Sequence, residues 1–354
     1  MNNRAIIAMS GGVDSSVAAY LMQQRGYDII GATLRLFTNE DAGIREKSCC
    51  SLSDVEDARA VAHRLGIEHY VFNFSDDFRT EVMDRFVNAY ENGRTPNPCI
   101  DCNRYIKFKR LLQRAKELEY DYVVTGHYAR IARENGRYVL KKGLDETKDQ
   151  TYVLYSMTQE QLKHTLLPLG ELRKTEVREI AAEQGFINAK KHDSQDICFV
   201  PDGRYADFIE QYTGREYPCG DFVDMEGNVL GTHKGVIRYT RGQRKGLGLA
   251  LPKPMYVCRT DLDKNLVVLG DNDDLFSSSL DASDINLMAV ERIEQPIRVQ
   301  AKIRYSQSAA DAVVWQTGDD RLHVEFDKPQ RAITRGQAVV LYDGETVVGG
   351  GVIE

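Results

Sequence analysis

The first 130 residues alternate between two spacings of apolar positions. Ile6-Ile7-Ala8 form a short continuous apolar run, and from Val13 the apolar positions fall at helical spacing through Val17, Leu21 and Met22. Residues 28–36 read as a buried strand. Residues 54–65 read as a helix capped by Ser53 or Asp54, with Val55, Ala58, Val61, Ala62 and Leu65 on one stripe. His69–Phe74 predicts a strand and 77–91 a helix. Residues 104–118 predict a basic amphipathic helix burying Ile106, Leu111, Leu112 and Ala115, and Asp121–Gly126 a further strand. Such alternation predicts an α/β domain: a parallel sheet covered on both faces, with ligands at the carboxyl ends of its strands.

The pattern changes after Cys198. Tyr205–Tyr212 still reads as a helix. From about Gly220 the chain breaks into short alternating segments between turns such as Met225–Asn228, Asp261–Asn265 and Tyr342–Glu345. This predicts a β-rich half, divided into a small central domain and a C-terminal β-barrel. The expected domains are 1–210, 211–278 and 279–354, with the second boundary in the Asp- and Ser-rich run near 275–283.

With 354 residues, 42% of them hydrophobic, the chain can build two or three cores. No apolar run is long enough to cross a membrane, and the first residues lack a signal-peptide pattern. A cytoplasmic protein with no membrane partner is expected. The formal net charge of −7 argues against coating nucleic acid through bulk charge and leaves local basic faces. Two windows contain no acid: Arg104–Lys116, with Arg104, Lys107, Lys109, Arg110, Arg114 and Lys116, and His233–Lys245, with Lys234, Arg238, Arg241, Arg244 and Lys245. Each suits RNA or an ordinary solvated face equally well.

The candidate chemistry begins at Ser10-Gly11-Gly12-Val13-Asp14-Ser15-Ser16, between the first strand and the first helix. A strand that ends in glycines and feeds a helix offers free backbone N–H groups to phosphate oxygens. Gly11 and Gly12 permit torsions and close approach that a Cβ would forbid, and the hydroxyls of Ser10, Ser15 and Ser16 add donors. No Gly-Lys-Ser/Thr follows, so this is not a Walker loop. It resembles the PP-loop of ATP pyrophosphatases, which split ATP between the α and β phosphates. Thr125-Gly126-His127 ends another predicted strand and is expected to converge with it.

The seven cysteines, with no secretion signal, argue for metal or thiol chemistry rather than a disulfide scaffold. Cys99-x-x-Cys102 precedes the basic helix. Cys102 is thereby expected near a helix N-terminus beside Arg104 and Lys107, which favours a thiolate. Cys198 taken alone reads as a small buried hydrophobe; with the other two thiols and the phosphate loop it becomes a candidate for chemistry. Cys49 and Cys50 are read as structural and near the nucleotide pocket, and Cys219 and Cys258 as structural.

Together these motifs resemble the tRNA-specific 2-thiouridylase family over essentially the full length. The resemblance rests on Ser10–Ser15, Gly93–Pro98 with Cys102, Thr125–Ala129, Lys148–Gln150 and Asp196–Phe199. The β half adds Tyr239–Gly248, Lys302–Tyr305 and Gly349–Ile353. It implies ATP and Mg²⁺ at Ala8, Met9, Ser10, Gly11, Gly12, Val13, Asp14, Ser15 and Ser16, with Leu34 and Gly126 beside the adenine or ribose and Asp14 as a ligand for Mg²⁺. It implies that the O2 of a tRNA wobble uridine attacks the α-phosphate, pyrophosphate leaves, and sulfur then displaces AMP. Asn97, Pro98 and Cys99 would lie at the target base. Lys148, Asp149, Gln150, Arg304 and Tyr305 would contact tRNA.

Two sulfur routes stay open. Many relatives carry Asp where this chain has Cys99. Cys99, Cys102 and Cys198 could hold a 4Fe–4S cluster with one iron open to inorganic sulfide. Alternatively Cys198 receives a persulfide from a relay protein or cysteine desulfurase, and Cys102 releases the sulfur, leaving a Cys102–Cys198 disulfide. Zinc on these thiols with His127 or His192 is a third arrangement. Arg335, where relatives often carry Pro, is expected to alter only a turn. The competing enzyme reading is a PP-loop ligase that adenylates a small molecule, which leaves the cysteines and the β half unexplained.

Overall fold

The computed structural model describes residues 3–38, 52–193, 196–200 and 203–354. Strand β1 (Arg4–Ala8) leads through the glycine loop into α1 (Val13–Gln24), followed by β2 (Asp28–Arg35), α2 (Leu52–Leu65) and β3 (His69–Asn73). Next comes a helical stretch of α3 (Ser75–Phe78), a wide π turn (Arg79–Met83) and α4 (Asp84–Glu91). A second such stretch is α5 (Pro98–Asp101), π-helical Cys102–Arg110 and α6 (Leu111–Glu117). Strand β4 (Tyr122–Val124), hairpin β5 (Ala129–Glu134) and β6 (Arg137–Lys142), helices α7 (Thr151–Leu154) and α8 (Gln159–Lys163), strand β7 (Thr165–Leu166) and helices α9 (Lys174–Glu183) and α10 (Tyr205–Thr213) follow.

The first sheet is parallel, in the order β3-β2-β1-β4-β7. Strand order reverses between β1 and β4, the place where doubly wound sheets open a ligand crevice beyond their carboxyl ends. Ala5, Ile7, Val17, Ala18, Val61 and Val177 pack one face, and Ile6, Ile30, Leu111, Leu112 and Val123 the other. The expected strands and helices of this half are present. Helix α2, however, starts at Leu52, so Asp54 lies in its first turn rather than at its cap, paired with Lys191 at 2.5 Å.

The central domain is a four-stranded sheet of β8 (Gly220–Val223), β9 (Val229–His233), β10 (Tyr256–Asp261) and β11 (Leu266–Gly270), in the order β10-β11-β8-β9. Its core gathers Phe222, Tyr239, Leu247, Val257 and Leu269. The last domain comprises β12 (Phe276–Leu287), β13 (Ile297–Lys302), β14 (Ala310–Gly318), β15 (Arg321–Arg331), β16 (Ala338–Asp343) and β17 (Thr346–Ile353). Pairing of β12 with both β15 and β17 closes these six strands into a barrel.

Two features depart from the sequence reading. The Asp- and Ser-rich run near 275–283 is strand β12 itself, because Leu280 and Ala282 turn inward while its polar residues face out. The β5–β6 hairpin, from the α/β half, extends the barrel sheet through the pair Lys141 and Thr346. The two halves are stitched elsewhere as well. The Thr95 N–H donates to the Arg335 carbonyl (2.8 Å), and Gln337 Nε2 donates to the Thr95 carbonyl (2.7 Å). Gly336 has φ +88°, and a Cβ there would stand 2.8 Å from Arg94 Cβ. The turn at Arg335 thus holds the segment leading to Asn97, a larger role than the sequence suggested.

Candidate active site

The glycine loop and Thr125-Gly126-His127 meet as expected. A Cβ on Gly126 would lie 2.8 Å from the Asp14 carbonyl carbon and 2.9 Å from the Ser15 nitrogen. Between them opens a cavity of about 230 Å³, lined among others by Ala8, Met9, Ser10, Asp14, Ser15, Leu34 and Gly126. Gly11, Gly12, Val13 and Ser16 shape the loop instead of lining the cavity. Gly11 has φ +73° and packs against Asp54, where a Cβ would be 2.4 Å from a carbonyl oxygen. Its own carbonyl accepts from Asn188 (3.0 Å) and Lys191 (3.2 Å). Val13 is core. Gly12 is the N-cap of α1 with no side-chain cap, so the first-turn N–H groups have no side chain over them.

The three loop hydroxyls are not equivalent. Ser16 is fully buried, donating to the Gly12 carbonyl (3.1 Å) and accepting from Asn188 (2.9 Å). Ser15 also donates to Gly12 (3.0 Å) and accepts from the Ser10 N–H (3.2 Å). Ser10 alone of the three is exposed. Two of the expected donors are therefore spent on holding the loop.

Asp14 accepts from Tyr128 Oη (2.8 Å) and from Lys174 Nζ at 2.7 and 2.8 Å. Lys174 also reaches Asp193 (2.8 Å), which pairs with Lys148 (2.9 Å) and Arg178 (3.1 Å). Burial alone would raise the Asp193 carboxyl; the hydrogen bonds from Lys174 and Lys148 outweigh it and hold it at about 2. Sequence reasoning missed Lys174, Asp193, Lys107 and Thr33 at this site, because their partners are distant in sequence. Thr33 Oγ1 donates to the Met9 carbonyl (2.8 Å) and fixes the entry to the loop.

Asn97 and Pro98 open the helix that carries two of the cysteines. Asn97 Oδ1 caps it by accepting from the Cys99 N–H (3.1 Å), and Pro98 occupies the first turn. This Asn-Pro pair is the signal that the helix starts at 98 rather than 104. Cys102 is therefore one turn inside, buried in an apolar cluster with Leu36, Phe37, Phe86 and Phe199. Burial pushes its thiol up to about 11 despite Lys107. The expected thiolate is thus absent in this state: burial outweighs the helix and Lys107. Cys99 is exposed, though the protein crowding around it also raises its thiol against Lys107.

Cys198 packs on the same cluster as Cys102, anchored by its neighbour Phe199, whose ring lies 5.1–5.7 Å from those of Phe208, Phe86 and Phe78. Among the described residues, no three His, Cys, Asp or Glu side chains converge to hold a metal. The cluster and zinc arrangements do not fit this placement of the thiols. His127 is buried and driven strongly toward its neutral form, with Nδ1 2.7 Å from Thr125 Oγ1. His192 is exposed. Cys49 and Cys50 lie outside the described residues. Cys258 is buried and Cys219 exposed, so only Cys258 has the burial expected of a packing residue.

The residues expected at tRNA divide similarly. Asp149 is occupied locally, accepting from Thr151 Oγ1 (2.6 Å) and the Gly143 N–H (3.2 Å). Lys148 is paired with Asp193. Gln150 accepts from the Tyr128 N–H (2.9 Å) and lines the nucleotide cavity. Tyr305 is exposed, edge-on to Tyr152 at 6.1 Å, and the protein packed around its hydroxyl, with the charge of Asp149, raises it against Lys148. The basic helix is largely neutralised: Arg104 pairs with Asp284, Arg110 with Asp77, Arg114 with Glu117 and Lys116 with Glu160. Lys107 instead lines the nucleotide cavity.

A parallel sheet whose glycine loop and β4 loop share one crevice defines a PP-loop protein that uses ATP. Family models match along the chain: a tRNA methyl transferase HUP domain over residues 3–202, a PRC-barrel domain of the same family over 206–271, and an aminomethyltransferase β-barrel domain over 277–353. The chain is 52% identical over 356 residues to the tRNA-specific 2-thiouridylase MnmA of Clostridioides difficile, covering 100% of this chain and 99% of that one. It is 53% identical over 353 residues to that of Lachnoclostridium phytofermentans, covering 99% of each. The chain belongs to the tRNA-specific 2-thiouridylase family. Among solved structures it has a remote likeness to the U34-tRNA thiolase NcsA of Methanococcus maripaludis with its [4Fe-4S] cluster: 19% identity, TM-score 0.36, 60% of this chain and 64% of that chain. That likeness is too distant to carry the cluster across.

Proposed function

We propose that the chain is an ATP-dependent tRNA uridine 2-sulfurtransferase acting on the wobble uridine, position 34. The observation that carries this reading is Lys107. It lines the nucleotide cavity, and its charge acts on both Cys99 and Cys102, so the ATP crevice and the thiol helix are neighbours. A base flipped out of a single-stranded anticodon loop, at modest cost, reaches the helix start at Asn97, Pro98 and Cys99.

The O2 of the uridine attacks the α-phosphate of ATP, and pyrophosphate leaves. The backbone N–H groups at Gly12 and the start of α1 stabilise the phosphates. Asp14, which lines the crevice together with Asp54, would offer Mg²⁺ an oxygen in place of its bonds to Lys174, and the ion would supply charge neutralisation to the leaving pyrophosphate. The terminal sulfur of a Cys198 persulfide, loaded by a relay protein or cysteine desulfurase, attacks C2, and AMP departs with the former O2. The Cys102 thiolate then attacks the Cys198 sulfur. The S–S bond breaks, 2-thiouridine is released, and a Cys102–Cys198 disulfide remains for a dithiol to reduce. Cys102 must lose its proton for that step, which the charge of Lys107 favours against burial. Tyr305, Arg304, Lys148, Asp149 and Gln150 border the tRNA path. Among the described residues no helix is long and apolar enough to cross a membrane, and a cytoplasmic location accords with a tRNA substrate.

ATP–pyrophosphate exchange with and without tRNA tests the reading. Exchange that needs a wobble-uridine tRNA is expected. Equal exchange without RNA would favour a small-molecule ligase.

A further inference from the structure

Three arginines that have no carboxylate partner among the described residues meet where the central domain joins the barrel. Arg241 lies in the turn after Tyr239, Arg304 just follows β13 and Arg331 ends β15. Arg304 and Arg331 approach Gly242 (φ +87°), the chain neighbour of Arg241, and the Leu275 carbonyl beside Arg241 accepts from the Ala332 N–H (2.8 Å). A Cβ on Gly242 would lie 2.9 Å from Ala332 Cβ, 3.6 Å from Arg331 Nη1 and 3.8 Å from Arg304 Nη2. Glycine thus leaves the space beside the Arg304 and Arg331 guanidinium groups open.

Their protein contacts are neutral. Arg304 Nη2 donates to the Ala332 carbonyl (2.6 Å) and Thr334 Oγ1 (2.9 Å). Arg331 Nε donates to Asn272 Oδ1 (3.0 Å), and its guanidinium sits 5.0 Å from the Tyr256 ring centre. Arg241 Nη2 lies 3.5 Å from the Leu275 carbonyl, and its Nε is buried with no acceptor. Burial and the charge of Arg331, with a further contribution from Arg241, pull the Arg304 guanidinium down, against Tyr152.

Two carboxylates that share the surroundings of Cys258 with Arg241 are engaged elsewhere. Asp274 accepts from the Asp271 N–H (2.8 Å), and Asp271 pairs with Lys253 (2.7 Å). Arg238, in the same basic window, spans Asp207 (2.8 Å) and Glu210 (2.7 Å). Placing three like charges together, half-buried, is costly unless an anion joins them. The guanidinium fork matches a phosphate, and the group offers donors only, so it suits a backbone rather than a base edge.

We propose that Arg241, Arg304 and Arg331 form a clamp for a backbone phosphodiester of tRNA, close to the nucleotide that enters the active site. The proposal rests on the tRNA reading above. Arg304 is chain neighbour to Tyr305, whose ring lies edge-on to Tyr152 at 6.1 Å, and Tyr152 shares a core cluster with Ile100, the residue after Cys99, so the clamp continues the path from the target base. The family resemblance assigns Arg304 and Tyr305; Arg241 and Arg331 are assigned by this geometry.

The test is tRNA affinity against KCl concentration for the wild type, the double variant Arg241→Gln/Arg331→Gln, Arg331→Lys and the control Arg298→Gln. ATP affinity is measured on each as a check of folding. The double variant is expected to bind tRNA at least about tenfold more weakly. Its log–log salt slope should shrink by about 1.4, the share of two contacts on single-stranded RNA. Arg331→Lys should keep most of that slope, and Arg298→Gln all of it. Unchanged affinity and slope in the double variant would overturn the clamp alone. So would weaker binding with an unchanged slope and a matching loss of ATP affinity, which marks a structural role. Inorganic phosphate binding lost in the double variant while tRNA binding stays would replace the clamp with a free-anion site. A wild type that binds no tRNA at low salt would overturn the tRNA reading and the clamp together.

Discussion

Lys174 Nζ lies 2.7 Å from Asp14 Oδ1 and 2.8 Å from Asp193 Oδ1, tying the glycine loop to the segment that leads toward Cys198. The Lys174 side chain is 10% exposed and that of Asp14 30%, so removing the charge leaves a half-buried Asp14 carboxylate without its ion-pair partner. Lys174→Met is expected to cost about 3 kcal/mol in denaturant unfolding. Adding Asp14→Asn should recover a good part of it. Purely additive losses in the double variant would mean that the two residues are not coupled.

Two aspartates should shift stability with pH in opposite directions. The Asp193 carboxyl is held at about 2, below its unfolded value, so its contribution is complete above about pH 4 and is lost as pH falls toward 2. Burial pushes Asp101 up to about 6, against Arg85 and Arg104. Its contribution is complete below about pH 4 and is lost as pH rises through 6. The stability of Asp101→Asn relative to wild type should therefore improve by about 3 kcal/mol between pH 4 and pH 7.5. A pH-independent difference in urea midpoints would contradict this.

The thiols should react in a definite order. Cys99 and Cys219 reach solvent, whereas Cys102 and Cys258 are buried. With its thiol at about 11, Cys102 is almost wholly protonated at pH 8. Brief iodoacetamide treatment followed by peptide mass spectrometry should find Cys99 and Cys219 modified well before Cys102. Rapid labelling of Cys102 in the free protein would show an activated thiol.

Gly126 allows the crevice to close. A side chain there would press on the backbone of Asp14 and Ser15 at 2.8–2.9 Å, so Gly126→Ala must displace the loop. ATP affinity measured by calorimetry is expected to fall at least about tenfold, with tRNA affinity largely kept. Unchanged ATP binding would place the nucleotide elsewhere.

Much of this was legible in the sequence where local periodicity and turn chemistry decide the outcome. The alternation of β1 to β4 with helices follows from apolar spacing, and the loop at Gly11 follows from the need for positive φ. What escaped depends on partners far along the chain. Asn135-Gly136, both at positive φ, marks the hairpin Ala129–Lys142, yet nothing there tells that it joins a barrel strand two hundred residues away. Arg104 and Arg110 look like an RNA face until Asp284 and Asp77 fold onto them. Cys102 looks activated beside Lys107, yet the cluster of Leu36, Phe86 and Phe199 that buries it comes from three other segments.

The central claim is that ATP activates the uridine while Cys198 delivers the sulfur. The most direct measurement is a single-turnover reaction of wild type and Cys198→Ser with ATP, Mg²⁺, substrate tRNA and a protein persulfide donor. Pyrophosphate and 2-thiouridine are quantified in each. The account predicts both products from the wild type. From Cys198→Ser it predicts tRNA-dependent pyrophosphate release and no 2-thiouridine. Wild-type yields of 2-thiouridine from Cys198→Ser would contradict it.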